Sequence, residues 1–84
     1  MVTIANIRGL HARAAAKFVK LAETFSSDIT VTKDDMRVSS RSIMGLMMLA
    51  ATQGSVIRIC AVGADAASAL DATTNLVKRK FDEE

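Results

Sequence analysis

The 84-residue chain has one cysteine, one histidine and, as its only aromatics, three phenylalanines. Each scarcity excludes something. A lone cysteine, Cys60, allows no internal disulfide framework and fits a reducing compartment. One histidine and one cysteine leave no His/Cys cluster for zinc, so no metal is expected. No Ser-His-Asp arrangement can be read from spacing when His11 is the only base available. Three aromatics give nucleic-acid bases little to stack on, and a net charge of +2 is too slight to argue for such a partner. No apolar run approaches a membrane span and no signal-peptide pattern opens the chain, so the expectation is a cytoplasmic protein without a membrane partner. What the sequence does have is apolar content, 50% of residues. That is enough for one core in one domain, residues 1–84.

Residues 1–7 read as a short strand, with Val2 and Ile4 alternating against Thr3 and Ala5. After the loop Arg8-Gly9-Leu10, residues 12–25 follow a helical period. Ala14, Phe18, Leu21, Ala22 and Phe25 form the apolar stripe, and Arg13, Lys17, Lys20 and Thr24 the opposite, basic one. Residues 28–33 alternate as a strand. Asp34-Asp35 turns the chain into a returning strand over 36–38. Ser42 is the best N-cap for a helix over 43–51, which Gly54 is placed to end. Residues 55–62 form the fourth strand, with Cys60 expected as an inert core residue. Asp65 is then expected to cap a helix over 66–81, with Ala66, Ala69, Leu70, Thr73, Val77 and Phe81 inward and Lys78, Arg79 and Lys80 near its negative end. Residues 82–84 read as a frayed tail. The order β-α-β-β-α-β-α predicts an α+β fold, a two-layer open-faced sandwich with three helices on one face of a four-stranded antiparallel sheet.

The chemistry concentrates at Arg8-Gly9-Leu10-His11-Ala12-Arg13. Here a glycine loop becomes a helix, and His11 falls at or beside the N-cap. The first helical amides, those of Ala12, Arg13 and Ala14, have no intrahelical partners and lie at the positive end of the helix dipole. Arg13 adds a planar fork of donors suited to phosphate oxygens. Amides, a guanidinium and a nitrogen nucleophile thus converge on an anion site with a nucleophile inside it. Neutral imidazole, the form that attacks, is accessible at about pH 7.

The helix over 43–51 is apolar almost all round. Leu46, Leu49, Ala50 and Gln53 define one stripe, and Ile43, Met44, Met47 and Met48 another. A small sheet can bury only one, so the second is expected to be an exposed partner surface. Adaptable methionines suit several partners, although core filling is the competing reading for each.

Taken together, Gly9-Leu10-His11-Ala12-Arg13 and Ser42-Ile43-Met44-Gly45-Leu46-Met47 resemble the two signatures of the HPr family, the histidine phosphocarriers of the phosphoenolpyruvate-dependent phosphotransferase system. The element order agrees over essentially the whole chain. The resemblance implies a covalent relay rather than a self-sufficient enzyme. His11 would accept a phosphoryl group from Enzyme I and pass it to a IIA-type protein, with Arg13 and the first helical amides assisting and no cofactor bound. It also implies docking through Lys20, Ile43, Met44 and Met47, and a regulatory phosphorylation of Ser42 by a serine kinase/phosphorylase where that enzyme exists. Ser42 is equally explained as an N-cap, and Lys20 as a solvated charge. The simplest oligomeric state for such a carrier is a monomer. Ala14 stands where the family usually has proline, and either residue is compatible with the first helical turn. Sugar uptake and nitrogen-linked regulation stay open as the pathway served. Two rival readings stay open as well. One is a regulatory docking module that works through the Ser42 helix with His11 as a mere cap. The other is a nucleic-acid-binding domain using Arg13, Lys17 and Lys20 with Lys78, Arg79 and Lys80, for which no binding motif is present.

Overall fold

The computed structural model describes residues 1–83. Its elements are β1 (Val2–Thr3), α1 (Ala12–Ala22), β2 (Asp28–Lys33), β3 (Met36–Ser39), α2 (Ile43–Met48), β4 (Val56–Val62) and α3 (Ala66–Lys78). The strands pair antiparallel throughout, in the order β1-β4-β2-β3. Alternation decides which sheet face is covered: Val2, Ile29, Val31, Ile57 and Ile59 are buried, while Thr3, Asp28, Val56, Arg58 and Val62 are exposed. The helices lie on the buried side. α3 packs on β1, β4 and β2, α2 on β3, and α1 bridges α2 and α3. The open-faced α+β sandwich expected from the element order is therefore the architecture.

The α1 stripe behaves as its period predicts, with Ala14, Phe18 and Ala22 buried and Leu21 and Phe25 partly so against the same core. The ends of elements depart from expectation, each for a local reason. β1 is shorter than residues 1–7, although Ile4 continues its pairing by donating to Ser55 O at 2.8 Å before the chain turns into the loop. α1 stops at Ala22, and Thr24 and Phe25 close it with bonds to Leu21 O and Ala22 O. α2 ends at Met48 rather than near Gly54, because Ala50 takes a left-handed conformation (φ 52°) at once. Gly54 instead turns the chain into β4 and donates to Ile4 O at 2.8 Å.

Three further expectations are corrected. Cys60 is exposed on the open sheet face, since Ile57 and Ile59 hold the buried phase of β4. Asp65 stands at the start of α3 but does not cap it with its side chain. Its carboxylate accepts from the amides of Ser26 and Ser27, at 2.9 Å each, and from the Ser27 hydroxyl. Those bonds, the Ser27 hydroxyl first and the Ser26 amide next, hold the Asp65 carboxyl below its ordinary range against the opposing effect of burial. Finally, α3 does not continue to Phe81. It ends at Lys78, and its buried face runs through Ala69, Thr73, Leu76 and Val77, so that Leu70, expected inward, is 40% exposed.

Beyond α3, Lys80, Phe81 and Asp82 all adopt left-handed backbone, with φ of 60°, 54° and 60°. Such a conformation costs roughly 1–2 kcal/mol for each non-glycine residue. Phe81 offsets it, because the turn places its ring in the core with no exposure. Lys17 reinforces the turn by donating from Nζ to Phe81 O at 2.7 Å. The segment expected to fray is folded back onto α1, with Glu84 outside the described residues.

Candidate functional site

The loop before α1 is built on tight approaches. Gly9 sits at φ 65°, and a Cβ there would meet Ala51 O at 2.5 Å and Thr52 Cα at 2.9 Å. Only glycine allows both the left-handed backbone and that contact. Leu10, buried, then donates to Ala51 O at 2.9 Å, which fastens the loop to the segment leaving α2. Asn6, also fully buried, donates from Nδ2 to Gly9 O at 2.8 Å and to Glu83 Oε1 at 2.9 Å. Both partners are acceptors, so the orientation of this amide is fixed by its surroundings. The result is a rigid ramp into α1.

His11 is the N-cap residue of α1, with extended backbone (φ −78°, ψ 179°), and its side chain makes no capping bond. Its carbonyl accepts from Ala15 N at 2.8 Å, the first bond of the helix. The amides of Ala12, Arg13 and Ala14 therefore have neither an intrahelical partner nor a side-chain cap, at the positive end of the dipole. The Ala14 side chain is buried beneath the turn, while Ala12 is exposed. The imidazole reaches away from these amides to the C-terminal segment, where Nε2 is hydrogen bonded to Glu83 Oε2. Nδ1 has no hydrogen-bond partner among the described residues. The pair is partly sheltered, with 23% of the His11 side chain and 11% of the Glu83 side chain exposed.

Alongside lies a polar cleft of ≈ 290 Å³ lined by Arg8, Arg13, Lys17, Asp82 and Glu83. Three cations against two carboxylates leave it electropositive. Burial alone pushes the Glu83 carboxyl up, but the hydrogen bonds from Asn6 and His11, with the pull of His11 and Arg8, outweigh it and hold the group below its ordinary range. Glu83 is thus ionised at neutral pH.

The second motif forms a distinct site. Ser42 is the N-cap of α2, and its Oγ accepts from Gly45 N at 2.8 Å. Its neighbours on α2 divide as their spacing predicts. Leu46 is fully buried, whereas Ile43, Met44, Met47 and Met48 are 40%, 70%, 40% and 65% exposed. Lys20 is exposed on α1, one turn beyond Lys17. The fold thus gathers His11, Arg13 and the first amides of α1 at one place, and joins them through Ala51 to the helix carrying the apolar patch.

Sequence reasoning missed Asn6, Arg8 and Glu83 as parts of the site. Arg8 stands inside the motif and could have been found there. Asn6 and Glu83 gave no signal, since their contact spans 77 residues and depends on the left-handed turn at Lys80–Asp82. Among the described residues no group of three His, Cys, Asp or Glu side chains is placed to hold a metal ion, and no helix is long and apolar enough to cross a membrane.

Comparison with known proteins meets this geometry from outside. The family described as "PTS HPr component phosphorylation site" matches residues 1–79. The chain is 51% identical over 82 residues to the phosphocarrier protein HPr of Neisseria meningitidis, covering 98% of this chain and 92% of that one. It is 46% identical over 82 residues to the phosphocarrier protein NPr of Shewanella violacea, covering 98% and 90%. The crystal structure of an HPr from Thermoanaerobacter tengcongensis superimposes with a TM-score of 0.93 at 47% identity, over 99% of this chain and 93% of that one. With two motifs at two helix starts, one open and one capped, on this sheet order, the chain belongs to the HPr family of phosphocarriers of the phosphotransferase system.

Proposed function

We propose that this chain, acting as one domain over residues 1–84, carries a phosphoryl group on His11 between Enzyme I and a IIA-type protein of the phosphotransferase system. The observation that carries the reading is the uncapped start of α1. Among the described residues, an imidazole with one nitrogen unengaged stands at the end of a helix whose first amides have no side-chain cap, beside Arg13. Because Nε2 is taken by Glu83, the accepting atom is Nδ1. Its lone pair forms the new N–P bond as the donor's N–P bond breaks, and the electron pair of the broken bond stays on the donor nitrogen. The amides of Ala12, Arg13 and Ala14, with the Arg13 guanidinium, stabilise the phosphoryl oxygens in transit. The reverse exchange onto the IIA-type partner uses the same contacts.

Docking is assigned to the exposed Ile43, Met44 and Met47 together with Lys20. This surface is free of the core, and its flexible side chains can repack against donor and acceptor in turn. Ser42 lies at the edge of the surface. A phosphate there adds nearly two negative charges next to an apolar contact and replaces the Gly45 cap, so phosphorylation by a serine kinase/phosphorylase weakens docking. The carrier works as a monomer in the cytoplasm.

Intact-mass measurement after incubation with Enzyme I and phosphoenolpyruvate tests the reading, with His11→Ala in parallel. One acid-labile phosphoryl group on the wild type and none on the variant is the expected result. Equal uptake by the variant removes His11 from the role.

A further inference from the structure

The contact between His11 and Glu83 asks for an explanation that packing does not supply. A carboxylate next to a site for phosphate is electrostatically adverse, and burying Phe81 accounts for the left-handed turn but not for the Glu83 side chain pointing at the imidazole. Several observations show how it is held. Glu83 Oε1 accepts from the fully buried Asn6 amide at 2.9 Å, and Asn6 in turn grips Gly9 O, in the loop that delivers His11. Phe81 anchors the segment in the core, and Lys17 bonds its carbonyl. One carboxylate oxygen is therefore fixed by the framework and the other is presented to Nε2 of the imidazole.

We propose that Glu83, oriented by Asn6, is a positioning residue for phosphoryl transfer at His11: by accepting a hydrogen bond from Nε2–H it keeps the lone pair on Nδ1 and steadies the ring as that lone pair forms the N–P bond. The inference rests on His11 being the acceptor. A neutral imidazole has one protonated and one unprotonated nitrogen, and only the unprotonated one attacks. A carboxylate can accept but not donate, so Glu83 selects the tautomer with the proton on Nε2. Attack through Nδ1 leaves positive charge on the ring, which a fixed anion at the opposite nitrogen stabilises. An aspartate does the same for a catalytic histidine in serine proteases. No proton need leave Nε2 in either direction of transfer, so the contact persists through the cycle. The adverse effect of the anion on the phosphate is countered from the cleft side by Arg8, Arg13 and Lys17.

The test combines the imidazole nitrogen signals in ¹⁵N NMR with the rate of phosphoryl uptake from phospho-Enzyme I. The wild type, Glu83→Ala and Glu83→Gln are compared. Glu83 lies beyond the last helix and outside the hydrophobic core, so these variants should stay folded, with a small drop in melting temperature from the lost Asn6 and His11 bonds that circular dichroism registers separately. In the wild type the proton should reside on Nε2. In Glu83→Ala the two nitrogens should move toward one another, and uptake should slow about tenfold through lost orientation. Glu83→Gln retains one acceptor oxygen without the charge, and should fall between them on both measures. Unchanged nitrogen signals and an unchanged rate in Glu83→Ala would overturn the proposal, and faster uptake would make Glu83 an obstruction instead. If the wild type itself takes no phosphate on His11, it is the carrier reading that fails. The nitrogen signals, read on the uncharged protein, would still decide whether Glu83 sets the tautomer.

Discussion

Two helices of this protein both start from an extended N-cap residue and present opposite chemistry. α1 and α2 both follow a residue with extended backbone, and neither has an acidic residue in its first turn. At α2 the cap is closed, since Ser42 Oγ accepts from Gly45 N. At α1 the cap is open: the His11 side chain turns to Glu83, and the first amides keep their capacity for an outside acceptor. α3 is a third variation, in which the N-cap residue Asp65 leaves the helix uncapped and its carboxylate ties down Ser26 and Ser27 instead. A closed cap contributes stability, whereas an open one at the same position gives up that contribution and becomes a place to bind an anion.

The most severe way to break the contrast is to close α1 as α2 is closed. His11→Ser should abolish phosphoryl acceptance completely. Stability should stay within about 1 kcal/mol, because the new cap offsets the lost Glu83 contact; denaturant unfolding and intact mass read the two effects separately. Next in size is Gly9→Ala, which forces a Cβ against Ala51 O in left-handed backbone. It should cost about 3 kcal/mol of stability, measured by urea unfolding. Arg13→Ala leaves the helix intact and removes one phosphate donor, so stopped-flow transfer should slow about tenfold with no change in unfolding. Ser42→Ala sharpens the comparison from the other side. It should lower stability by about 1 kcal/mol while phosphoryl acceptance keeps its wild-type rate.

The smallest expected effect concerns acid. Asp65 and Glu83 both have carboxyl groups held below their ordinary values of 3.8 and 4.5 in the folded protein. A depressed folded value means the unfolded chain binds protons first. Their contribution is therefore complete above those ordinary values and is lost as pH falls through the folded ones. Thermal melts from pH 5 downward should show a shallower decline for Asp65→Asn than for the wild type, as the variant has no such proton to take up.

Periodicity carried most of the architecture. The alternation of Ile29 and Val31, or of Ile57 and Ile59, marks the buried sheet face unambiguously, and the α1 stripe of Ala14, Phe18 and Ala22 is equally plain. Where residue preference was allowed to override period, it misled. Cys60 is out of phase with Ile57 and Ile59 and is exposed accordingly. The site divides in the same manner. The placement of His11, Arg13 and Ser42 at helix starts was legible because it is local, within a few residues of a glycine. Glu83 was not, because its placement requires left-handed backbone at Lys80, Phe81 and Asp82, where no glycine signals it. Nothing local pairs Asn6 with a carboxylate 77 residues away.

The proposed transfer turns on which nitrogen of His11 carries the phosphoryl group. Phosphorus–nitrogen coupling in ¹⁵N-labelled protein charged by Enzyme I and phosphoenolpyruvate identifies it. Phosphorus coupled to Nδ1, with the proton still on Nε2, is the predicted result. Phosphate on Nε2 would mean that the Glu83 contact is broken during transfer and would contradict the account, as would phosphate found on Ser42 with His11 unmodified.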